Sequence, residues 1–176
     1  MKLNKSDSQK AQRITLFISA SAVLVASVAT LVLYKVPVLP AQTRQEEVAA
    51  RGAQVMPFDL EQTVHIFEKL DEGGLQRVVV KDPANHEQIS LIRAHLAEEA
   101  EKFRRGDFSD PARIHGQDMP GLAELKAAAG KIDVLYTSLP DGAQIRYTAK
   151  DPALVTALHR WFDAQVSDHG RHATGH

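Results

Sequence analysis

Hydrophobic positions divide the chain into one long apolar run and a downstream region of shorter, alternating segments. The run covers residues 14–34 and contains no charged side chain. At 1.5 Å of rise per residue, a helix of this length spans the hydrocarbon core of a bilayer, which is about 30 Å thick. The pattern therefore predicts a transmembrane helix over residues 14–34, through which the chain would contact the bilayer.

The charges before this run indicate its orientation. Residues 1–13 carry four basic side chains and one acidic side chain, and basic flanks stay on the cytoplasmic side of a membrane. We therefore expect a cytoplasmic tail, a single pass through the membrane and an extracytoplasmic C-terminal domain. In a Gram-negative bacterium these would be a bacterial inner membrane and a periplasmic domain. The alternative is a cleaved signal peptide. Its apolar region is usually only about 7–15 residues long, so the longer run favours an uncleaved anchor.

The chain after the apolar run is predicted to have three parts. Residues 35–56 contain two prolines and several charged residues, and are interpreted as a juxtamembrane linker, either a short helix or a flexible tether. The folded domain is predicted over residues 57–166. Residues 167–176 are predicted to be a polar, histidine-rich tail.

The predicted domain contains the same pattern twice. Alternating segments at Thr63–Lys69 and Arg77–Lys81, separated by a Gly-rich turn, predict a hairpin. A second hairpin follows 69 positions later, and Lys81–Ala84 repeats residue for residue as Lys150–Ala153. The Asp-Pro pair in each copy predicts a helix start. We therefore predict an α+β fold with a duplicated ββα unit, about four antiparallel strands and both helices on one face.

Residues 106–122 separate the two halves. This connector holds three Gly, two Pro, one His and one Met, without a long apolar period. A duplicated ββα fold does not need such an insertion to close its sheet. We therefore interpret the connector as built structure and as the first place to search for a site.

Composition narrows the possible functions. The chain has no cysteine, which excludes disulfides, thiolate metal sites and cysteine nucleophiles. Its net charge of -1 gives no sign of a nucleic-acid-binding surface. The sequence also lacks a phosphate loop, a Gly-rich dinucleotide turn and a nucleophile elbow, so a non-enzymatic role is favoured.

Histidine and methionine are the remaining residues with distinctive chemistry. His115 and Met119 lie in the connector, and the repeat places His65 where the second half has Val134, at a position facing the core. Imidazole and thioether groups bind copper, and two imidazoles can bind haem iron. The predicted ligands are His65, His95, His115 and Met119, with His169, His172 and His176 as weaker candidates. The alternative is that these are core, surface and loop residues without a ligand.

Two functional hypotheses follow. The first is a membrane-anchored extracytoplasmic module that binds a transition metal, copper in particular, or haem. The alternative is a ligand-free accessory or assembly subunit of a membrane complex, with another membrane protein as its partner.

Several segments together resemble a small bacterial family of membrane-anchored periplasmic proteins. The resemblance covers most of residues 58–172. Members of the family are loosely labelled aspartate carbamoyltransferases, but the Ser-Thr-Arg-Thr run and the chain length of true transcarbamoylases are missing here. The resemblance implies topology and fold and leaves function open. It rests on the hairpin Thr63–Pro83, on Leu91–Leu96, Gly106–Pro111, Ile114–Gly116, Asp118–Leu122 and Trp161–Gln165, and on Asp168–Gly170.

Overall fold

A computed structural model describes residues 43–176. The predicted tail 1–13, the predicted span 14–34 and the first part of the predicted linker lie outside the described residues. Within them, no helix is both long enough and apolar enough to cross a membrane. In chain order the elements are α1 (Arg44–Val55), a 3-10 turn (Leu60–Gln62), β1 (Thr63–Leu70), β2 (Gly73–Val80), α2 (His86–Arg104), α3 (Ser109–His115), α4 (Leu122–Ala127), β3 (Ile132–Leu139), β4 (Gly142–Ala149), α5 (Pro152–His169), a second 3-10 turn (Gly170–His172) and β5 (Ala173–Gly175).

The α+β class is confirmed, and the sheet is larger than predicted. Its five strands have the order β3-β4-β2-β1-β5. The first four are antiparallel, as expected, whereas β5 runs parallel to β1 and pairs Ala173 with His65. The fifth strand comes from the segment predicted to be a polar tail. The sheet is therefore mixed rather than purely antiparallel.

The strands keep the 69-residue spacing of the sequence pattern, because β3 and β4 begin 69 residues after β1 and β2. The two hairpins join through β2 and β4, where their backbones approach closely. A Cβ at Gly73 would lie 2.0 Å from the Tyr147 carbonyl oxygen, and one at Gly142 would lie 2.0 Å from the Val78 carbonyl oxygen. These two contacts correspond under the 69-residue offset. Both positions therefore require glycine for the same reason.

Each of the two long helices packs mainly against strands outside its own repeat. Helix α2 follows the first hairpin but packs mainly on β3 and β4, whereas α5 follows the second hairpin and packs mainly on β5, β2 and β1. Both cover the same face of the sheet, so the apolar residues that alternate along the strands meet one helical layer. The fully buried side chains of this core include Phe67, Val78, Ile92, Leu96, Ile145, Tyr147, Leu158, Trp161 and Phe162.

The start of α2 corrects one prediction. Asp151 caps α5 as expected, because its carboxylate accepts a hydrogen bond from the Ala153 N–H. Asp82 accepts the equivalent bond from Ala84, but the chain then makes another turn and α2 begins at His86, with Asn85 as its N-cap. The same Asp-Pro pair is therefore a helix start in one repeat and a turn in the other.

Helix α1 lies within the region predicted to be a linker. Thr43 and Glu46 form a reciprocal capping box at its start, and Val48 is completely buried where α1 contacts α3 and α5. The folded domain therefore begins by residue 43 rather than at 57. The helix has few apolar positions, so the sequence pattern alone did not show that it packs on the domain.

Candidate functional site: a buried histidine cavity

Three of the four predicted ligands line one small cavity beneath the helical layer. His65 reaches it from β1, His95 from α2 and His115 from the end of α3, and His169 joins them from the end of α5. The cavity volume is about 40 Å³. On this measure a water molecule needs about 10–15 Å³, so the space suits about three waters or one hydrated ion.

His169 is the centre of the histidine cluster. Its ring stacks on that of His65, with centroids 4.8 Å apart and an interplanar angle of 10°. The ring of His115 meets it edge-on, with centroids 4.9 Å apart. All three residues are at least 94% buried. Sequence reasoning gave His169 only as a weaker candidate, although it continues the inward face of α5 four residues after Gln165.

A chain of polar contacts fixes the orientation of His115. Its Nδ1 lies 2.9 Å from Asp168 Oδ2, so Nδ1–H donates to the carboxylate. Arg44 of α1 donates two hydrogen bonds to the same carboxylate, from Nε at 3.0 Å and Nη2 at 2.6 Å. Metal-binding histidines commonly donate their second ring nitrogen to a carboxylate in this way. The Nε2 atom of His115 has no hydrogen-bond partner among residues 43–176.

Burial keeps the imidazoles of the cluster neutral. Burial lowers the pKa of His65 from 6.5 to about 3. Burial also lowers the pKa of His95, His115 and His169, and for His115 it outweighs the opposing effect of Asp168. A neutral imidazole carries a free lone pair and is the form that binds metal ions. At neutral pH these residues therefore need no proton loss to act as ligands.

Two ring nitrogens in the cluster are buried without a partner. Neither Nδ1 of His65 nor Nδ1 of His169 has a hydrogen-bond partner in the described part of the chain. A buried polar atom left unpaired costs about 1–3 kcal/mol. Both residues line the cavity, so a water molecule or an ion in that space would satisfy them.

The residues that line the cavity also include a carboxyl pair. Glu99 of α2 and Asp110 of α3 are both buried, and Lys102 Nζ lies 3.1 Å from Glu99 Oε1 and 2.7 Å from Asp110 Oδ2. Burial, and then the hydrogen bond to Asp110, raise the pKa of Glu99 to about 7. The cavity therefore contains an acid that exchanges its proton near neutral pH.

The other predicted ligands lie apart from the cavity. Met119 is buried but lines a surface cleft of about 520 Å³, on the other side of His115, together with Arg44 and Asp168. His172 pairs with Glu61, at 2.9 Å between Nε2 and Oε1. His176 is exposed at the end of β5. The structure thus groups His65, His95, His115 and His169 and separates them from Met119, His172 and His176.

The histidine cluster is not a formed metal site as it stands. Among residues 43–176, no three His, Asp or Glu side chains are arranged to hold one ion. The reason is visible in the stacking of His65 on His169, because in-plane lone pairs of two parallel rings cannot meet at one point. For both to bind one ion, one ring has to turn within the cavity.

The chain was compared with known protein families, with curated proteins and with solved structures, and none of them matches it. The resemblance to membrane-anchored periplasmic proteins therefore stays a prediction.

Proposed function

We propose that this protein is a membrane-anchored extracytoplasmic module that binds one transition-metal ion in the histidine cavity. His65, His115 and His169 would be the ligands, with His95 at the edge of the same space. The observation that carries the proposal is the pair of buried, unpartnered Nδ1 atoms on His65 and His169, two residues that line the same small cavity. The anchor over residues 14–34 is part of the proposal.

The support from the wider site is chemical. His115 has the carboxylate partner that metal-binding histidines usually have, and all the imidazoles are held neutral by burial. The cavity volume of about 40 Å³ is far smaller than a porphyrin ring, so the proposal is for a bare or hydrated ion rather than haem.

Metal loading of the full chain in detergent tests this proposal. The purified protein is incubated separately with copper(I), copper(II) and zinc(II), desalted, and its metal content measured by mass spectrometry. We expect one ion per chain for at least one metal, and little retained metal in His169→Ala and His115→Ala. His86→Ala is the matched control, because His86 is exposed at the start of α2 and does not line the cavity.

Two outcomes would count against the metal proposal. In the first, the unaltered chain retains no ion after desalting. In the second, both cavity variants keep the full metal content while their circular dichroism shows native folding, which would leave the cavity as a site for water only.

The second candidate is the ligand-free accessory or assembly subunit. It is favoured by the face of the sheet away from the helices, where the large apolar side chain of Leu135 is 59% exposed. The half-buried residues Val64, Ile66 and Val79 lie on the same face. Site-specific crosslinking from position 135 in intact membranes tests this role. Crosslinks only to lipid, or none, would contradict it.

A further inference from the structure

The cavity wall contains a thioether in addition to the imidazoles. Met56 follows directly after α1, where its backbone N–H donates to the Gly52 carbonyl oxygen at 2.8 Å and ends the helix. Its side chain is 6% exposed and lines the same cavity as His65, His115 and His169. Nothing in the residues around Met56 distinguished it in the sequence.

Gly52 leaves room for the end of the Met56 side chain. A Cβ at Gly52 would lie 2.6 Å from the terminal methyl carbon of Met56. Glycine in a helix interior costs about 0.5–1 kcal/mol relative to alanine. The bare Cα of Gly52 makes room for the Met56 methyl group, which gives this glycine a packing role.

Met56 and Met119 line two different spaces. Met56 and Met119 are both 6% exposed, but only Met56 lines the histidine cavity, whereas Met119 lines the outer cleft. A thioether is a soft ligand that suits copper(I), whereas zinc(II) is bound by imidazole without one. We propose that Met56 is a soft ligand of the histidine cavity and makes it prefer copper(I) to zinc(II). This inference rests on the proposed metal-binding function.

The test compares Met56→Leu with Met119→Leu in the full chain in detergent. Leucine keeps the volume and apolar character of methionine and removes only the sulfur, so both variants are expected to fold. Copper(I) affinity is measured without oxygen by competition with a coloured copper(I) chelator, and zinc(II) affinity by competition with a zinc dye. We expect Met56→Leu to weaken copper(I) binding about tenfold or more, as loss of a group at a metal site commonly does. Its zinc(II) affinity should change little, and Met119→Leu should match the unaltered chain for both metals.

X-ray absorption at the copper edge gives a readout that a purely structural role would not produce. The copper(I)-loaded chain and Met119→Leu should show sulfur in the first coordination shell. Met56→Leu should show only nitrogen and oxygen.

The outcomes separate this inference from the function on which it rests. Equal losses of copper(I) and zinc(II) affinity in Met56→Leu would reduce Met56 to a packing residue and overturn the inference alone. If the sulfur signal is lost in Met119→Leu and not in Met56→Leu, the inference is also overturned, because the sulfur ligand would then be Met119 of the surface cleft. If the unaltered chain binds neither metal, the proposed function itself fails.

Discussion

His115 Nδ1 and Asp168 Oδ2 lie 2.9 Å apart, with the imidazole almost completely buried and the carboxylate near the surface. The contact joins the connector to the end of α5, which are separated by 53 positions in the chain. Although burial opposes ionisation of Asp168, hydrogen bonds from Arg44 and His115 keep its pKa below the usual value. An ionised carboxylate therefore holds His115 in the tautomer with Nδ1–H and a free Nε2.

Asp168→Asn removes this charge while keeping the side-chain size. We expect the affinity of the loaded metal to fall by about 10–100-fold, the range seen when such a supporting carboxylate is lost. The stoichiometry should stay at one ion per chain, because the ligands remain. Competition titration with a chelator measures both quantities.

Asp163→Asn is the matched control for this prediction. Asp163 is also on α5 and pairs with Lys69 at 2.6 Å, but its side chain is 64% exposed. Exposed ion pairs contribute about 0–1 kcal/mol, so this variant should bind metal like the unaltered chain. Equal affinities for the Asp168 and Asp163 variants would remove Asp168 from the site.

The buried histidines predict that the metal-free protein is sensitive to acid. His65 has a pKa of about 3 in the folded chain and about 6.5 when unfolded. Below pH 6.5 His65 is therefore protonated in the unfolded state and neutral in the folded state. The free energy of unfolding consequently decreases as pH falls from 6.5 towards 3. One such group contributes a slope of about 1.4 kcal/mol per pH unit in this window.

His65→Val tests this slope, because valine is the residue at the equivalent position of the second repeat, Val134. Urea unfolding of the chelator-treated protein at pH 7.5, 5.5 and 4.5 should show a shallower decrease for the variant, by about 1.4 kcal/mol per pH unit below 6.5. His86→Ala, at an exposed position, should keep the original slope. Parallel curves for His65→Val and the unaltered chain would show that His65 takes up its proton in the folded state.

The strands were predictable because their signals are local. Each hairpin has its alternating residues and its Gly-containing turn within 18 positions, 63–80 and 132–149, and the structure places all four strands in the predicted pairs. The inward direction of His65 followed from its match to Val134, and it is confirmed by an exposure of 3%.

The parts of the fold and site that the sequence did not predict depend on contacts between distant segments. The three residues of β5 contain no strand signal of their own, and they pair with β1 only because α5 delivers them to its edge. Helix α1 is mostly polar, and Val48 is its one completely buried apolar residue, so few apolar positions mark the face that packs on the domain. Met56 follows directly after α1, and His169 is the last residue of α5. Both reach the cavity only through the packing of these helices on distant segments, which the sequence pattern does not show.

Gly73→Ala and Gly142→Ala should destabilise the protein by similar amounts. At each position the added Cβ would meet a backbone carbonyl oxygen of the neighbouring hairpin at 2.0 Å, so β2 and β4 would have to separate. Overpacking of this kind costs about 1–3 kcal/mol. Thermal unfolding followed by circular dichroism measures the loss.

Thr137→Ala is the control for the glycine pair, because Thr137 is an exposed residue on β3. Substitutions at such positions usually change stability by no more than about 0.5 kcal/mol. If one glycine variant is as stable as this control while the other is not, the two hairpins do not share the symmetric contact seen between β2 and β4.

Deleting residues 173–176 should open the edge of β1 beside the histidine cavity. The His176 N–H donates to the Phe67 carbonyl oxygen at 3.0 Å, and the Lys69 N–H donates to the His176 carbonyl oxygen at 3.2 Å. Without β5 these groups and the backbone of His65 lose their partners, so amide hydrogens of β1 should exchange faster. Hydrogen exchange followed by mass spectrometry of the full chain in detergent measures this rate.

His176→Ala separates the backbone from the side chain at this edge. The variant keeps both main-chain hydrogen bonds and removes only an exposed imidazole. We expect its β1 exchange rates and its metal content to equal those of the unaltered chain, whereas the deletion changes both. Loss of metal in His176→Ala alone would mean that the imidazole of His176, rather than the strand that carries it, contributes to the site.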